Sequence, residues 1–359
     1  MTNIPLVSII IPVHNPGKLL DVCLQSVIEQ SYKNIEIIVV NDDSSDDSES
    51  IIKGFQKKDS RIKYFYTNQH NAAFTRREGI KESSAKYVCF VDSDDVIDKQ
   101  YVQVLYETLI ETGVEIATAK IANFTCNEDM LVAHNDSGKT QINDNLLKYF
   151  ADNYHSDKKS KYISQSINAK IFKKDLFENL DYTVIKTRIL EDNFIVPQIL
   201  KNSKLQKIAM IDKTLYFYRS NQNSTMAMSL SKMISYDGVE ISFPQLFEIA
   251  TSYIKELYAN NENIDYCIYK IKSQEYFSLA KQIVDKNIYI SNMEVSIHDM
   301  EVLIHDMEAH INNISTQQET LNRIIANISD SKSYKIGRAI TLPVRVLKRI
   351  LHVQIRPKQ

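Results

Sequence analysis

The chain has no tryptophan and only 7 glycines among its 359 residues. That scarcity argues against a glycine-rich phosphate loop, in which backbone N–H groups close on an anion where no Cβ stands in the way. The 4 cysteines, Cys23, Cys89, Cys126 and Cys267, lie far apart with no paired spacing, so neither a zinc site nor a disulfide framework is indicated. Cys23 and Cys89 fall in apolar patterns and are expected to be reduced core residues. Long hydrophobic runs are missing too. The first, Val7 to Val13, is too short for a signal or a membrane span and follows no basic region, so the chain is expected to stay in the cytoplasm. A formal net charge of −2 indicates neither a nucleic-acid binder nor an acidic tail at whole-chain level.

What is present is a soluble globular composition, 43% hydrophobic and 25% charged, in a chain longer than one ordinary domain. A catalytic-sized domain with an appendage is expected. The stretch around which it is organised is CFVDSDDVI, Cys89 to Ile97. An apolar strand ends there, and Asp92, Asp94 and Asp95 follow within four residues. Carboxylates so close repel one another and resist desolvation, so a cation or strong donors belong nearby. A divalent ion, Mg2+ or Mn2+, shared with phosphate oxygens suits such hard oxygen ligands. The plainer alternative is an acidic turn that caps the next helix.

Leu6 to Val13 reads as a buried strand, followed by a turn at His14, Asn15, Pro16 and Gly17 and a helix carrying Leu20, Cys23, Leu24 and Val27. Ile35 to Val40 is a second strand, ending in Asn41, Asp42, Asp43 and Ser44, and a helix with Ile51, Ile52 and Phe55 follows. Ile62 to Tyr66, a helix over Ala72 to Ser84, the strand ending at Asp92, a helix over Tyr101 to Thr112 and a strand over Val114 to Ala122 complete the pattern. Units this short predict a doubly wound, mostly parallel α/β sheet, whose ligands bind beyond the carboxyl ends of the strands. His14-Asn15, Asp42-Asp43 and Asp92-Asp94 would then share one rim.

Gln141 to about Tyr162 reads as polar and irregular, and Ile167 to Phe172 as an apolar segment against the core. Glu191-Asp192 opens a helix running to Leu200; two short strands, Leu205 to Ile211 and Thr214 to Arg219, lead into a polar loop, Ser220 to Ser224. From about Ser231 to Lys286 the pattern is helical. Beyond it, Ile290, Met293, Ile297, Met300, Ile304 and Met307 begin a seam spaced alternately three and four apart that reaches Ile328, broken only at Gln318. Such a heptad predicts a coiled coil, hence a homo-oligomer. His298, His305 and His310 lie off the seam and are expected in solvent. Lys332 to Gln359 holds eight Lys and Arg and no acid, with Val344, Leu347, Ile350 and Leu351 on one face. A peripheral contact with the inner face of an anionic membrane, or a solvated basic tail, would account for it.

Taken together, VSIIIPVHN, VVNDDSSDDS, TRREG, FVDSDD, ILEDNF and YFYRSNQNS, in that order over residues 5 to 225, resemble the family-2 glycosyltransferases of the GT-A fold, of bacterial surface-polysaccharide type. Asn41-Asp42-Asp43-Ser44 stands where the family often has Asp-Asp-Gly-Ser, and Thr75-Arg76-Arg77 where it often has Ala-Arg-Asn. The resemblance implies that Pro12 and His14 line the nucleobase end, that Asn15 and Ser93 also belong to the nucleotide-sugar site, that Asp42 accepts from a uracil-type base, and that Arg76 lies near the base or the phosphates. It further implies Asp92 at the ribose, directly or through water, Asp94 on the metal, Asp192 as general base beside Glu191, and Arg219 with Ser224 over the diphosphate.

The expected domains are a GT-A transferase over 1–228, a helical segment over 229–288, a coiled coil over 289–330 and a basic amphipathic tail over 331–359. The expected activity is an inverting, metal-assisted transfer from a nucleotide sugar, a UDP-sugar foremost, to a hydroxyl of a glycan or lipid-linked acceptor. Like-charge repulsion from Glu191 is expected to raise the pKa of Asp192. The alternatives are a nucleotidyltransferase, or a coiled-coil scaffold carrying a degenerate transferase domain. No nucleic-acid partner is expected.

Overall fold

A computed structural model of the chain describes residues 5–125, 136–154, 160–220 and 234–273. Ser224, the coiled-coil segment 289–330 and the basic tail 331–359 lie outside the described residues.

The first half alternates as its hydrophobic pattern predicts: β1 (Val7–Val13), α1 (Leu19–Ile28), β2 (Ile35–Asp42), α2 (Ser48–Gln56), β3 (Ile62–Thr67), α3 (Ala72–Glu82) and β4 (Tyr87–Phe90). All residues of β1, β2 and β4 are buried, the mark of strands covered on both faces. The strands pair in parallel in the order β3-β2-β1-β4, with Val7 opposite Ile35 and Val13 opposite Asn41. Successive side chains of a strand point to opposite faces. Ile9, Ile11, Ile37 and Val39 therefore pack with Leu20, Cys23 and Leu24 of α1 and with Ile52 of α2, while Ile10, Ile38 and Val40 join a second core on the other face. Cys23 and Cys89 are buried free thiols.

Beyond β4 come β5 (Val96–Ile97), α4 (Tyr101–Thr112), β6 (Ile116–Phe124), β7 (Thr140–Asn143), α5 (Leu146–Asp152), β8 (Ser160–Lys161), β9 (Lys170–Lys173), α6 (Asp192–Asn202) and β10 (Ile208–Arg219). They extend the sheet as β4-β9-β6-β10-β5, with β9 antiparallel to both its neighbours and β6 parallel to β10. The parallel half thus meets a mixed half at β4, beside the acidic turn.

Three local expectations change. The stretch read as irregular from Gln141 holds β7 and α5; Leu146, Leu147, Tyr149, Phe150 and Ala151 are buried, an apolar face that the flanking polar residues obscure. The two strands read before Arg219 are one, β10, and the break between them is a register shift between Ile211 and Tyr216. The region read as helical from Ser231 begins with a hairpin, β11 (Ile234–Tyr236) and β12 (Val239–Ile241), turning at Asp237-Gly238, where both residues have positive φ. Helix α7 (Phe243–Leu257) follows behind a Ser242–Gln245 capping box. Its Phe247, Ala250 and Ile254 join Ile264, Cys267 and Ile271 of the helical residues 264–273 in the second core. Among the described residues no helix is long and apolar enough to cross a membrane.

Candidate active site

The strand ends meet at the first turns of α3. This helix meets the sheet at Gly79, where a Cβ would stand 2.5 Å from Ile10 Cγ2 and 3.3 Å from Val40 Cγ2. Asn71 caps it, accepting from the Ala73 N–H at 3.0 Å, and its own amide donates to the Thr187 carbonyl at 2.7 Å. From this helix Thr75 and Arg76 reach in opposite directions along the rim.

Toward β2, the buried Asp42 carboxylate accepts from the His70 N–H at 2.9 Å, the Asn71 N–H at 3.1 Å and the Thr75 hydroxyl at 2.7 Å. Asp42 thereby ties the end of β2 to the start of α3. Pro12 is buried in β1 opposite Val40. His14 Nδ1 lies 2.6 Å from the Asp42 carbonyl oxygen. A carbonyl only accepts, so Nδ1 carries the proton and Nε2 is left to accept from Asn15 Nδ2 at 3.2 Å. The His70 ring stands edge-on to His14, centroids 5.8 Å apart. Asp43, where the resemblance favours glycine, has φ +54, a left-handed conformation that Asp tolerates better than most residues.

Toward β4, Arg76 is buried, and its guanidinium bridges the two acidic motifs. Nη2 donates to Asp92 Oδ1 at 2.9 Å; Nη1 lies 3.2 Å from Asp192 Oδ1 and 3.4 Å from Glu191 Oε1. Three carboxylates around it hold its pKa far above the ordinary arginine value against the opposing effect of burial. Its Nε is buried with no hydrogen-bond partner among the described residues. Arg76 thus meets acids rather than an open pocket wall.

The residues of the acidic turn separate by role. Asp92 is half-buried between Arg76 and Asn168, whose amide donates to Oδ2 at 2.7 Å, and its N–H donates to the Tyr216 hydroxyl oxygen at 3.2 Å. Asp95 is fully buried and structural: it accepts from the Tyr216 hydroxyl at 2.6 Å and from the Arg219 N–H at 2.8 Å, fastening the turn to β10. Ser93 and Asp94 are half-exposed. Burial first, then the charge of Asp92, raises the Asp94 carboxyl to about 6, partly opposed by Arg219. Arg219 donates through Nε to the Asp94 carbonyl at 2.9 Å and lies over the Phe124 ring, 4.3 Å from its centroid.

Leu190, at φ +57, turns the chain into the acid pair at the start of α6. Asp192 Oδ2 accepts from the Ile167 N–H at 3.1 Å, so both its oxygens have donors. Its pKa is raised, as expected, but the first cause is burial; Arg76 and the Ile167 N–H oppose it and Asp92 adds to it. Glu191 is raised to about 7 by burial and then by Asp192, so within the pair it is the glutamate on which the like-charge effect is prominent.

Four contributors were given no role from the sequence: Thr75, Asn168, Lys170 and Tyr216. Thr75 and Tyr216 open the motifs TRREG and YFYRSNQNS, and Lys170 is a charge inside the apolar segment Ile167 to Phe172, whereas Asn168 leaves no such trace. Among the described residues no group of three His, Cys, Asp or Glu side chains is arranged to hold an ion by itself.

Residues 8–185 match the family Glycosyl transferase family 2, which identifies this segment as a domain of that family. Over 220 residues it is 35% identical to the glycosyltransferase GlyA of Streptococcus pneumoniae serotype 4, covering 61% of this chain but 31% of GlyA. It is 26% identical over 240 residues to GlyG of the same organism, covering 66% of this chain and 78% of GlyG. The fold superposes on S. aureus TarS 1–349 with a TM-score of 0.57 at 17% identity, covering 80% of this chain and 76% of that one. A further TarS structure, with a TM-score of 0.58, is a complex with UDP-GlcNAc.

Proposed function

We propose that the chain moves a sugar from a nucleotide sugar, a UDP-sugar, to a hydroxyl of a glycan or lipid-linked acceptor, with inversion at the anomeric carbon. The observation that carries this reading is the convergence of Asp92 and Asp192 on the one Arg76 guanidinium, at 2.9 and 3.2 Å. It brings a nucleotide-side carboxylate and a candidate base to one rim. The family match and the UDP-GlcNAc complex of TarS support the donor class.

In this reading Pro12, His14, Asn15 and Asp42 receive the uracil, and Asp92 with Ser93 the ribose. Asp42 retains acceptor capacity on Oδ1, which has a single donor, the His70 N–H. Asp192, oriented by Arg76 and the Ile167 N–H, takes the proton of the attacking hydroxyl. The new bond forms from that oxygen to the anomeric carbon as the bond to the diphosphate breaks on the opposite face, so UDP leaves and no covalent intermediate arises. The raised pKa of Asp192 strengthens it as a base. Arg219, with Ser224, covers the departing diphosphate.

The residues suit a divalent cation, Mn2+ or Mg2+. The Asp94 carboxylate is desolvated beside the charge of Asp92, a condition that a cation relieves. Asp94 would hold the ion together with substrate oxygens, as expected where no cage of three protein ligands exists among the described residues. Bound there, the ion would supply Lewis-acid stabilisation of the leaving diphosphate. A nucleotidyltransferase is disfavoured by the single Gly and Lys of PVHNPGK after β1.

The coiled-coil seam supports a homo-oligomer, which a monomeric mass in light scattering would refute. The basic tail supports peripheral membrane contact, which unchanged cell fractionation after deletion of 332–359 would refute. Calorimetry with UDP and Mn2+ tests the site. Asp94→Ala should lose the metal-dependent part of binding; Asp192→Asn should keep UDP binding and lose transfer. An Asp192→Asn variant with wild-type transfer would overturn the base assignment.

A further inference from the structure

Lys170, at the start of β9, is fully buried, yet it makes no ion pair at hydrogen-bonding distance among the described residues. Its Nζ donates to three main-chain carbonyls, those of Ser166 at 2.5 Å, Ile163 at 2.7 Å and Asn168 at 3.3 Å. Three N–H groups thus meet three acceptors of one short loop that curls around the ammonium. Burial alone drives the lysine pKa down, to about 7, and the negative charge of Asp192 works against that fall. A buried cation is costly, and an apolar residue would serve the strand as well. It is the loop that uses the charge, because all three hydrogen bonds of the ammonium go to carbonyls of residues 163–168.

The loop so gathered ends in two donors aimed at the two sides of the candidate site. The Ile167 N–H reaches Asp192 Oδ2 at 3.1 Å, and Asn168 Nδ2 reaches Asp92 Oδ2 at 2.7 Å. Asn168 is 4% exposed, and its Oδ1 is buried with no hydrogen-bond partner among the described residues. Immediately after it Ala169 holds φ +56, a left-handed conformation that is unfavourable for a residue with a Cβ. Its carbonyl accepts from the Ala119 N–H at 3.0 Å and the Thr118 hydroxyl at 3.2 Å, which keeps the strained turn in place. A segment that retains an unpaired amide oxygen and a strained alanine is over-determined by its surroundings, a pattern found where geometry serves a site.

We propose that Lys170 and Asn168 are positioning residues for the transfer: the ammonium folds residues 163–168 around itself, and that loop sets Asp192 and Asp92 at their working orientation. The inference rests on the reading of Asp192 as the base. Neither residue touches the reacting atoms.

The test uses the full chain with Mn2+ and measures UDP release from UDP-Glc, UDP-Gal, UDP-GlcNAc and UDP-GalNAc, continuing with the sugar that wild type turns over fastest. Active sites are counted by UDP binding in calorimetry. Lys170→Met should lower kcat per UDP-binding site by about 100-fold, the order associated with an ångström of misplacement, with KM for the donor within about threefold. A lysine that only stabilises the fold would lower Tm and the number of binding sites and leave kcat per site unchanged; that result overturns the proposal. If Lys170→Met yields no UDP-binding protein, Asn168→Ala decides by the same two readings, since it leaves the three carbonyl contacts of Lys170 intact. Asp192→Asn run alongside separates the two ideas. Wild-type turnover in Asp192→Asn refutes the base, whereas inactive Asp192→Asn with undiminished kcat per site in Lys170→Met refutes the positioning alone.

Discussion

Arg76 and Asp192, 116 positions apart in the chain, lie 3.2 Å apart on the rim of the sheet. The same guanidinium holds Asp92, so one side chain of α3 joins the acidic turn after β4 to the start of α6.

Removing that guanidinium leaves three acids facing one another with little water. Arg76→Ala should destabilise the fold by about 3–5 kcal/mol, the usual loss when one partner of a buried ion pair is deleted. Arg76→Lys should recover part of it, since a single ammonium cannot span Asp92 and Asp192 as a planar fork does. Urea unfolding at pH 7 measures both, and equal stability of Arg76→Ala and wild type would refute the bridge.

Asp42→Asn turns an NH2 donor toward donors. The carboxylate takes hydrogen bonds from two main-chain N–H groups and the Thr75 hydroxyl, and an amide cannot satisfy all of them. The expected loss is about 1–3 kcal/mol of stability, typical of a buried donor left unmatched, with weaker UDP binding in calorimetry.

Two glycines in helices should respond oppositely to alanine. At Gly79 the added Cβ would meet Ile10 at 2.5 Å, so α3 must lift from the sheet, at a cost of about 1–3 kcal/mol. At Gly54 nothing lies within 4 Å, so alanine should stabilise α2 by about 0.5–1 kcal/mol. Denaturant midpoints of the two variants should move in opposite directions.

Glu191 gives a signed dependence on pH. Its pKa is raised in the folded chain from 4.5 to about 7, so between those values the folded state binds more protons than the unfolded one. Stability from this group therefore falls as pH rises from 4.5 through 7. Glu191→Gln removes the titration, so its Tm relative to wild type should increase between pH 5 and pH 8. A constant difference would refute the shift.

The parallel half of the fold was legible because β1, β2 and β4 are continuous apolar runs that end abruptly in polar clusters. The positions of Asp42 and Asp92 followed from those ends, whereas Asp192 opens a helix and was assigned to the site through the resemblance. Less legible was anything whose partner is the main chain. Asn168 and Ile167 act through an amide and an N–H, and a sequence does not announce which N–H will face a carboxylate. The α5 face was obscured because Lys148 interrupts its apolar residues and the polar Asn145 and Asp152 flank them. The break within β10 was visible, but a bulge and a strand end look alike in sequence, since both interrupt the alternation.

Asp95 grips both the hydroxyl of Tyr216 and the backbone of Arg219, while Arg219 returns a bond to the Asp94 carbonyl. This closed ring of contacts makes the last residues of β10 and the turn bearing Asp94 mechanically one piece. Any pull on the chain just past Arg219 is therefore felt at Asp94 at once, with no slack to absorb it.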